Sequence, residues 1–442
     1  MAVGYGEENK YAKYGQPTLD LIFTGPKESV TDRAGNVGLE FTRSSTATYV
    51  GSDGLIKTAA VDEARFDHDK DGNGLGLLIE ESRTNELTYS EDFTQSPWTT
   101  TNTTVTANSG TAPDGTNTAT FLAETNVSNY FGIYYNSSPS WTDCTTTVYV
   151  KANGRDYANL YLNVQNRNFV SAMFDLVNLT STVTEGSEST FTSHSASIEE
   201  MPNGWRRLRL TVIAPSSVTR PTFFLNVSSD GSSPNTGQDG RSPQYQGDST
   251  KGLLIWGTQS EFARFPTSYI PTTSSTVTRA VDVAKITGTN FTDFYNQNEG
   301  TAFVNYKTAS TEQFNSPFSF RVSEASDAQS WGHWTYNGGS QSRVPIYGQR
   351  TSPNETQYLI GTFDSIDLNR YYKVGISQDG SNMSGCIETD TTRTRSMTAL
   401  PTMSVLALGW VKSTSTIMTG HISRLTYWPR RLSDSDLQSL TE

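Results

Sequence analysis

The 442-residue sequence has little of what marks a secreted or membrane-spanning protein. Its two cysteines, Cys144 and Cys386, lie far apart, so we expect two small buried side chains and no disulfide framework. No run approaches the roughly 18 consecutive apolar residues of a membrane-spanning helix. Residues 1–14 lack a basic segment followed by an apolar one, so the sequence predicts no signal peptide and a protein that stays in the cytoplasm or leaves it by lysis.

Motifs that carry chemistry are equally scarce. The four histidines form no closely spaced pair of the kind that binds zinc. Neither a phosphate-binding glycine loop nor a Gly-x-Ser-x-Gly nucleophile turn is present. The adjacent carboxylates Glu80 and Glu81 would point to opposite faces of a strand, whereas a glycosidase needs two carboxylates across one bond. We therefore assign no catalytic residue and expect a protein that is not an enzyme.

The charge balance narrows the class of partner. The net charge is −12, from 33 basic and 45 acidic residues. An acidic surface repels phosphate backbones and anionic lipids, which argues against nucleic acid and membrane insertion. A neutral polar ligand such as a glycan is compatible with this charge, and so is docking onto other proteins.

What the chain does contain favours β-structure. Its 21 tyrosines, 20 phenylalanines and 8 tryptophans are spread along the whole length, and such residues suit pleated surfaces. Apolar and polar residues alternate with a period of two, which is typical of half-buried strands. The clearest runs lie at residues 148–151, 160–164, 207–212 and 223–227. Asn-Gly and Asp-Gly dipeptides separate such runs and predict turns.

The expected fold is therefore all-β, with tandem antiparallel β-sandwich or jelly-roll domains. A short C-terminal helix is the exception, because Ser433 fits an N-cap and acidic residues follow it. We place an N-terminal arm at 1–22, a small β module for attachment at 23–86, a jelly roll at 87–275 and a second one at 281–442. Residues 271–280 have the composition of a linker.

One series of segments resembles a module of tailed-bacteriophage virion proteins. The segments are FTRSSTATYV at 41–50, DGLIK at 53–57, ARFD at 64–67 and GLLIEESRTN at 76–85. The series departs from that module at Glu86, where the family carries an apolar residue. The resemblance implies a small β module that attaches the protein to the particle.

Two further resemblances concern the later domains. GLLIWG at 252–257 and FPTSYIPT at 265–272, together with YSEDF at 89–93 and NGWRR at 203–207, resemble a carbohydrate-binding-module-like jelly roll. HISRLTYWPRRLSD at 421–434 resembles the last strand and exit helix of laminin-G-like or concanavalin-like jelly rolls.

Together these resemblances imply a structural component of a bacteriophage virion, a tail fibre or a capsid-decorating fibre. It would be assembled in the host cytoplasm, bind other virion proteins of the head or tail, and adhere to host-surface glycans. Such parts are usually symmetric oligomers, and a trimer is favoured. Two alternatives stay open, a glycan-degrading tailspike and a bacterial carbohydrate-binding protein.

Aspartates at alternate positions suggest a cation loop. Asp67, Asp69 and Asp71 precede Gly72 in the spacing of the first half of a calcium-binding loop. The position of the bidentate glutamate is occupied by Leu78. A solvated acidic hairpin tip is therefore favoured, with a structural calcium ion on the three aspartates as the alternative and no other cofactor expected.

Aromatic residues are the natural platforms for sugars, because the apolar face of a pyranose packs on an aromatic ring. Our candidate glycan site consists of Trp331, Trp334, Tyr336 and Asn337, with Trp141 as a further candidate. Tyr134 and Tyr135 are expected near Trp141 at loop or strand-edge positions of the central jelly roll. The alternative is that these aromatics are core residues or subunit contacts.

Overall fold

The computed structural model describes most of the chain. The described residues are 11, 13–26, 28–33, 35, 37–136, 140–165, 167–218, 222–232, 243–309, 315–325, 329–335, 344–350, 359–363, 367–368, 370–388, 391–397, 399–410 and 417–442. The chain divides into two compact units. Unit 1 comprises residues 1–52, 59–82 and 280–442, and unit 2 comprises residues 53–58 and 83–279.

The described secondary structure is almost all strand, so the predicted all-β fold is confirmed. The strands are β1 (Leu19–Ile22), β2 (Glu40–Thr42), β3 (Ala47–Val50), β4 (Ile56–Ala59), β5 (Phe66–His68), β6 (Gly74–Ile79), β7 (Arg83–Asn85), β8 (Trp98–Thr101), β9 (Thr103–Gly110), β10 (Ala119–Glu124), β11 (Ser128–Asn129), β12 (Phe131–Asn136), β13 (Trp141–Asn153), β14 (Tyr157–Gln165), β15 (Asn168–Asp175), β16 (Thr180–Glu185), β17 (Ser193–Glu200), β18 (Arg206–Val218), β19 (Thr222–Ser228), β20 (Tyr245–Gln246), β21 (Gly252–Glu261), β22 (Val277–Arg279), β23 (Val283–Thr287), β24 (Gly300–Thr308), β25 (Asn315–Arg321), β26 (Ser330–Thr335), β27 (Val344–Arg350), β28 (Leu359–Phe363), β29 (Tyr372–Gln378), β30 (Asn382–Ile387), β31 (Arg393–Ser396), β32 (Val405–Leu408) and β33 (Gly420–Trp428).

Short helices complete the described structure. They are the α-helices α1 (Gly288–Thr292) and α2 (Asp434–Thr441) and a 3-10 helix at Pro202–Gly204. No helix in the described part of the chain is long and apolar enough to cross a membrane. Helix α2 begins where the sequence predicts. The Ser433 hydroxyl accepts a hydrogen bond from the backbone N–H of Asp436 at 3.1 Å, which caps the first turn.

Unit 1 is a sandwich of two antiparallel sheets. Sheet A has the order β31-β30-β29-β24-β33-β6-β5, with β1 also paired to β33, and sheet B has the order β2-β23-β32-β25-β26-β27-β28. One core cluster collects Leu77, Val304 and Val374 from sheet A and Phe318 and Leu406 from sheet B. Burial between the two sheets therefore holds unit 1 together.

The structure divides the chain differently from the sequence-based boundaries. Strands from residues 23–86 are part of the same sandwich as residues 281–442, because β6 pairs with β33 and β2 pairs with β23. Part of the predicted arm, residues 1–22, is also packed into unit 1. There the ring centroids of Tyr11 and Phe303 are 5.5 Å apart. The arm and the small module are thus not separate from the C-terminal domain in the described residues.

Unit 2 contains the segment predicted as the central jelly roll, 87–275, within its residues 83–279, and it also includes residues 53–58. Sheet C has the order β17-β18-β13-β21-β10-β9 and sheet D has the order β16-β15-β14-β19-β12-β8. Strand β22 lies at the end of the predicted linker, 271–280, and pairs with β7.

The alternating runs of the sequence lie on the strands of unit 2 as expected. Their apolar positions share one core cluster, which includes Val148, Val150, Leu160, Leu162, Leu208, Leu210, Val212, Phe223, Leu225 and Val227. The other residues of each run consequently point to the outer faces of sheets C and D.

Candidate functional site

The tryptophans of the predicted glycan site are core residues. Trp331 stacks on Phe320, with ring centroids 4.4 Å apart, and Trp334 is 1% exposed. Trp141 is buried and stacks on Phe191. A buried ring cannot present its face to a sugar, so the structure gives these three rings a packing role in place of the predicted exposed platform.

The remaining residues of the predicted glycan site lie in different environments. Tyr336 and Asn337 lie outside the described residues. Tyr135 is in the core of unit 2, against Trp98 at 5.0 Å. Tyr134 is half-buried and lies on the outer side of sheet D. Among the described candidates, its ring is therefore the one that is partly exposed on a surface.

The aspartates of the predicted calcium loop have separate partners. Asp67 lies 2.8 Å from the Nε2 atom of His421. Asp69 closes the turn by accepting the backbone N–H groups of Asp71 and Asn73, each at 2.9 Å. Among the described residues, no group of three His, Cys, Asp or Glu side chains is placed to hold a metal ion. The turn is thus closed by its own hydrogen bonds, and the calcium alternative stays a prediction.

The segments at 41–85 form a buried ionic network in unit 1 that the sequence did not predict. Asp282 accepts hydrogen bonds from Arg43 Nη1 at 3.2 Å and from Arg65 Nη2 at 2.5 Å. Arg65 Nη1 also donates to Glu80 Oε2 at 2.7 Å. All four side chains are buried, and each charge has an opposite partner, as buried charges require. Glu80 is therefore engaged in structure and is not placed as a catalytic acid.

The outer face of sheet D has a composition of its own. Strand alternation and register place these residues on it: Thr99, Thr101, Gly132, Tyr134, Asn136, Tyr157, Asn159, Tyr161, Asn163, Phe169, Ser171, Met173, Asp175, Thr180, Thr182, Thr184, Thr222, Phe224, Asn226 and Ser228. We call this set the sheet-D face. Asp175 is its single charged residue, although 18% of the chain is charged.

A row of aromatic rings crosses the sheet-D face. Tyr134, Phe224 and Tyr161 are direct cross-strand neighbours on β12, β19 and β14. Their ring centroids are 5.2 Å and 4.9 Å apart, and Phe169 continues the row 5.2 Å from Tyr161. Tyr134 and Phe224 are half-buried, whereas Tyr161 and Phe169 are buried. The exposed end of the row is therefore formed by Tyr134 and Phe224.

Rows of small and amide side chains flank the aromatic row on both sides. One flanking row is Gly132, Asn226 and Asn159, and the other is Asn136, Thr222 and Asn163. Neighbouring rows are two residues apart along each strand, which is roughly 7 Å. The Asn159 and Asn226 side chains of the first row are buried, whereas Asn136 in the second row is exposed. An aromatic platform bordered by an accessible amide can pack against the apolar face of a sugar ring while that amide hydrogen-bonds the hydroxyls at the edge of the ring.

On the outer face of sheet C, residues 262–272 lie across strands β18 and β21. Arg207 donates to the carbonyl oxygen of Thr267 at 2.6 Å, and the ring of Tyr269 packs on Trp256 at 4.7 Å. Glu261 accepts from the Thr267 hydroxyl at 2.6 Å, and burial raises the pKa of Glu261. This part of the outer face of sheet C is therefore covered by the protein's own chain.

Comparisons with known proteins give a weak structural likeness. No protein-family model matches the sequence, and a search of curated proteins found no match. The chain is similar to the CBM40 module of a Ruminococcus gnavus IT-sialidase bound to α2,3-sialyllactose, with 17% identity and a TM-score of 0.27. That match covers 33% of this chain and 84% of the module.

Two other solved structures are similar to a comparable extent. The NanB sialidase from Streptococcus pneumoniae matches with 11% identity and a TM-score of 0.28, over 36% of this chain and 26% of its own. Domain 4 of AbnA, an extracellular arabinanase from Geobacillus stearothermophilus in complex with arabinotriose, matches with 13% identity and a TM-score of 0.27. The latter match covers 40% of this chain and 81% of the domain. TM-scores this low support no statement about the family or the ligand of this chain.

Proposed function

We propose that the chain binds glycans through the sheet-D face of unit 2. The observation that carries this proposal is the row of rings ending in half-buried Tyr134 and Phe224, bordered by amides on a nearly uncharged surface. Sugars offer apolar ring faces and neutral hydroxyls, and this surface supplies the complement of both.

We further propose that the chain is a structural component of a bacteriophage virion, a tail fibre or a capsid-decorating fibre. The resemblance of residues 41–85 to a module of virion proteins supports this part of the proposal. In such a particle the chain binds other virion proteins and adheres to glycans of the host surface. Assembly as a trimer would present several weak sites together, which gives avidity without strong single-site affinity.

Adhesion and glycan cleavage give different results in one experiment. Purified full-length chain is incubated with the surface polysaccharide of the host bacterium, and both retention and new reducing ends are measured. We expect retention without new reducing ends. Release of fragments would instead show a glycan-degrading tailspike.

Variants of the platform connect that retention to the sheet-D face. Tyr134→Ala removes a ring at the exposed end of the row and should weaken retention about ten-fold, the effect of losing roughly 1.4 kcal/mol. Tyr134→Phe keeps the ring and should retain most of the binding. Val61→Ala, at an exposed position in unit 1 and so outside this face, is the matched control. Equal retention by Tyr134→Ala and Val61→Ala would remove the sheet-D face from the proposal.

The proposed place in the particle is tested by imaging. Low-resolution images of particles with and without this chain should differ by density on the tail or on the head. Identical particles, together with no trace of the chain in purified virions, would refute the virion part and leave the bacterial carbohydrate-binding protein as the alternative.

A further inference from the structure

An accessible polar pair borders the exposed end of the aromatic row. Asn136 on β12 and Thr222 on β19 are direct cross-strand partners, in the same register as Tyr134 and Phe224. Each member of the pair is two residues from a ring along its strand, which is roughly 7 Å. Asn136 is exposed and Thr222 is half-buried. A ligand that covers the two exposed rings therefore has this pair within reach.

The hydrogen bond between these two residues orients the Asn136 amide. The Thr222 hydroxyl donates to Asn136 Oδ1 at 2.9 Å. An asparagine amide offers one accepting oxygen and two N–H donors, and here the oxygen already holds the Thr222 hydroxyl. Among the described residues, none accepts a hydrogen bond from Asn136 Nδ2. The amide therefore presents its donors to a ligand at the border of the rings.

A fixed N–H donor beside apolar rings favours one kind of sugar substituent. A hydroxyl both donates and accepts, so a fixed donor gives little selectivity for it. The carbonyl oxygen of an acetamido group only accepts, and the methyl group on the same carbon is apolar. Packing of the methyl group on Tyr134 or Phe224 and a hydrogen bond from Asn136 to the carbonyl oxygen satisfy both parts at once.

We propose that the sheet-D face selects glycans that carry an N-acetyl group. Asn136 Nδ2 donates to the acetamido carbonyl oxygen, and Thr222 is the positioning residue that holds the Asn136 amide in the donating orientation. The inference rests on the proposed glycan binding through this face and adds the chemical class of the sugar.

The test is an array of paired oligosaccharides probed with the full-length chain. The two members of each pair differ at one carbon of a sugar ring, which carries an acetamido group in one member and a hydroxyl group in the other. We expect the affinity for the acetamido member to be about ten-fold higher, the combined effect of one hydrogen bond and one buried methyl group. We call the ratio of the two affinities the selectivity.

Asn136→Asp keeps the shape of the side chain and replaces its N–H donors by a carboxylate oxygen. The selectivity should fall from about ten-fold toward one, because a carboxylate cannot donate to a carbonyl oxygen and repels it. Asn126→Asp is the matched control and should leave the selectivity unchanged. It adds the same charge at an exposed asparagine before β11, whose Oδ1 accepts the backbone N–H of Ser249.

Variants of Thr222 test its positioning role. Thr222→Val keeps the branched shape and loses the hydroxyl, so the Asn136 amide is free to turn and the selectivity should fall about three-fold. Thr222→Ser keeps a hydroxyl and should retain the wild-type selectivity. Because the selectivity is a ratio measured on one protein, a smaller folded fraction of a variant lowers both affinities and cancels.

The possible results separate this inference from the proposed function. Binding to no member of the array would overturn the proposed glycan binding and this inference with it. Binding without a preference for acetamido members, or a preference that Asn136→Asp leaves unchanged, would overturn the inference while glycan binding itself survives. A preference that is lost in Asn136→Asp and retained in Thr222→Val would overturn the positioning role of Thr222.

Discussion

His333 is a titratable side chain placed entirely inside unit 1. Its Nε2 atom lies 2.8 Å from the hydroxyl of Tyr306, and its Nδ1 atom has no partner in the described structure. Burial lowers the pKa of the His333 imidazole from its ordinary value of about 6.5 to about 3. The imidazole is therefore neutral in the folded protein at any pH near neutrality.

This burial predicts a pH-dependent stability. The unfolded chain takes up a proton at His333 below about pH 6.5, and the folded chain does so only near pH 3. The folded state consequently loses stability as the pH falls from 6.5 toward 3, by about 2 kcal/mol between pH 7.5 and pH 5. His333→Gln keeps a hydrogen-bonding group beside Tyr306 and has no proton to take up.

The measurement is denaturant unfolding of the wild type and His333→Gln at a series of pH values. Where unfolding shows more than one transition, the transition to follow is the one whose midpoint differs between the wild type and His333→Gln at pH 7.5. Its stability should fall more steeply with decreasing pH in the wild type than in the variant. Parallel curves for the two proteins would show that His333 does not titrate between the folded and unfolded states.

At the scale of elements, the adjacent strands β12 and β19 of sheet D pack closely because residue 132 is a glycine and has no side chain. A Cβ atom on Gly132 of β12 would meet both Asn226 Oδ1 at 2.0 Å and the Leu225 carbonyl oxygen at 2.6 Å, on β19. Gly132→Ala should therefore destabilise unit 2 by roughly 1–3 kcal/mol, the usual effect of overpacking. Asn226→Ala removes one of the two clashes. Gly132→Ala should therefore lower the free energy of unfolding by less in the Asn226→Ala background than in the wild type.

A double-mutant cycle over Gly132 and Asn226 gives their coupling free energy from thermal or denaturant unfolding of the wild type, the two single variants and the double variant. A negligible effect of Gly132→Ala, or strictly additive effects of the two substitutions, would contradict the placement of the Asn226 oxygen above Gly132.

The strands and the C-terminal helix could be predicted because their signals are local. Alternation reports which side of a strand is buried, and the cap at Ser433 depends on residues three positions away. The sequence left two interpretations open for the tryptophans, a glycan platform or core residues, and it could not choose between them, since Trp331 is buried by Phe320 across a neighbouring strand. The sheet-D face was missed for the same reason, because its rows exist only once the strands are paired in register.

At the scale of the whole molecule, the contacts that define unit 1 join residues that are most distant in sequence. Asp282 bonds Arg43 and Arg65, and β1 pairs with β33 across almost the entire chain. No local pattern reports such partners. The consequence is that the chain leaves unit 1 after residue 82 and returns to it at residue 280, so residues 83–279 of unit 2 form one insertion into the sequence of unit 1, whereas residues 53–58 of unit 2 precede it.

The ends of this insertion lie side by side. Arg83 and Arg279 are cross-strand partners in the β7–β22 pair, so their Cα atoms are about 5 Å apart. In unit 1, the backbone N–H of Asp282 donates to the carbonyl oxygen of Glu80 at 3.0 Å. Exchanging residues 83–279 for a Gly-Ser linker of about four residues should therefore leave the Glu80 and Asp282 segments in place. Residues 53–58 of unit 2 stay in this protein, and unit 1 should fold without residues 83–279.

The linker protein is checked by circular dichroism and by the cooperativity of its unfolding. We expect a β-rich protein with one transition, whose stability keeps the pH dependence of His333, since that residue belongs to unit 1. Introducing His333→Gln in the linker protein is the matched control, and it should flatten the pH dependence as it does in the full chain. An insoluble or non-cooperative product would show that unit 1 depends on unit 2 for its fold, and the two units would then have to be regarded as one cooperative domain.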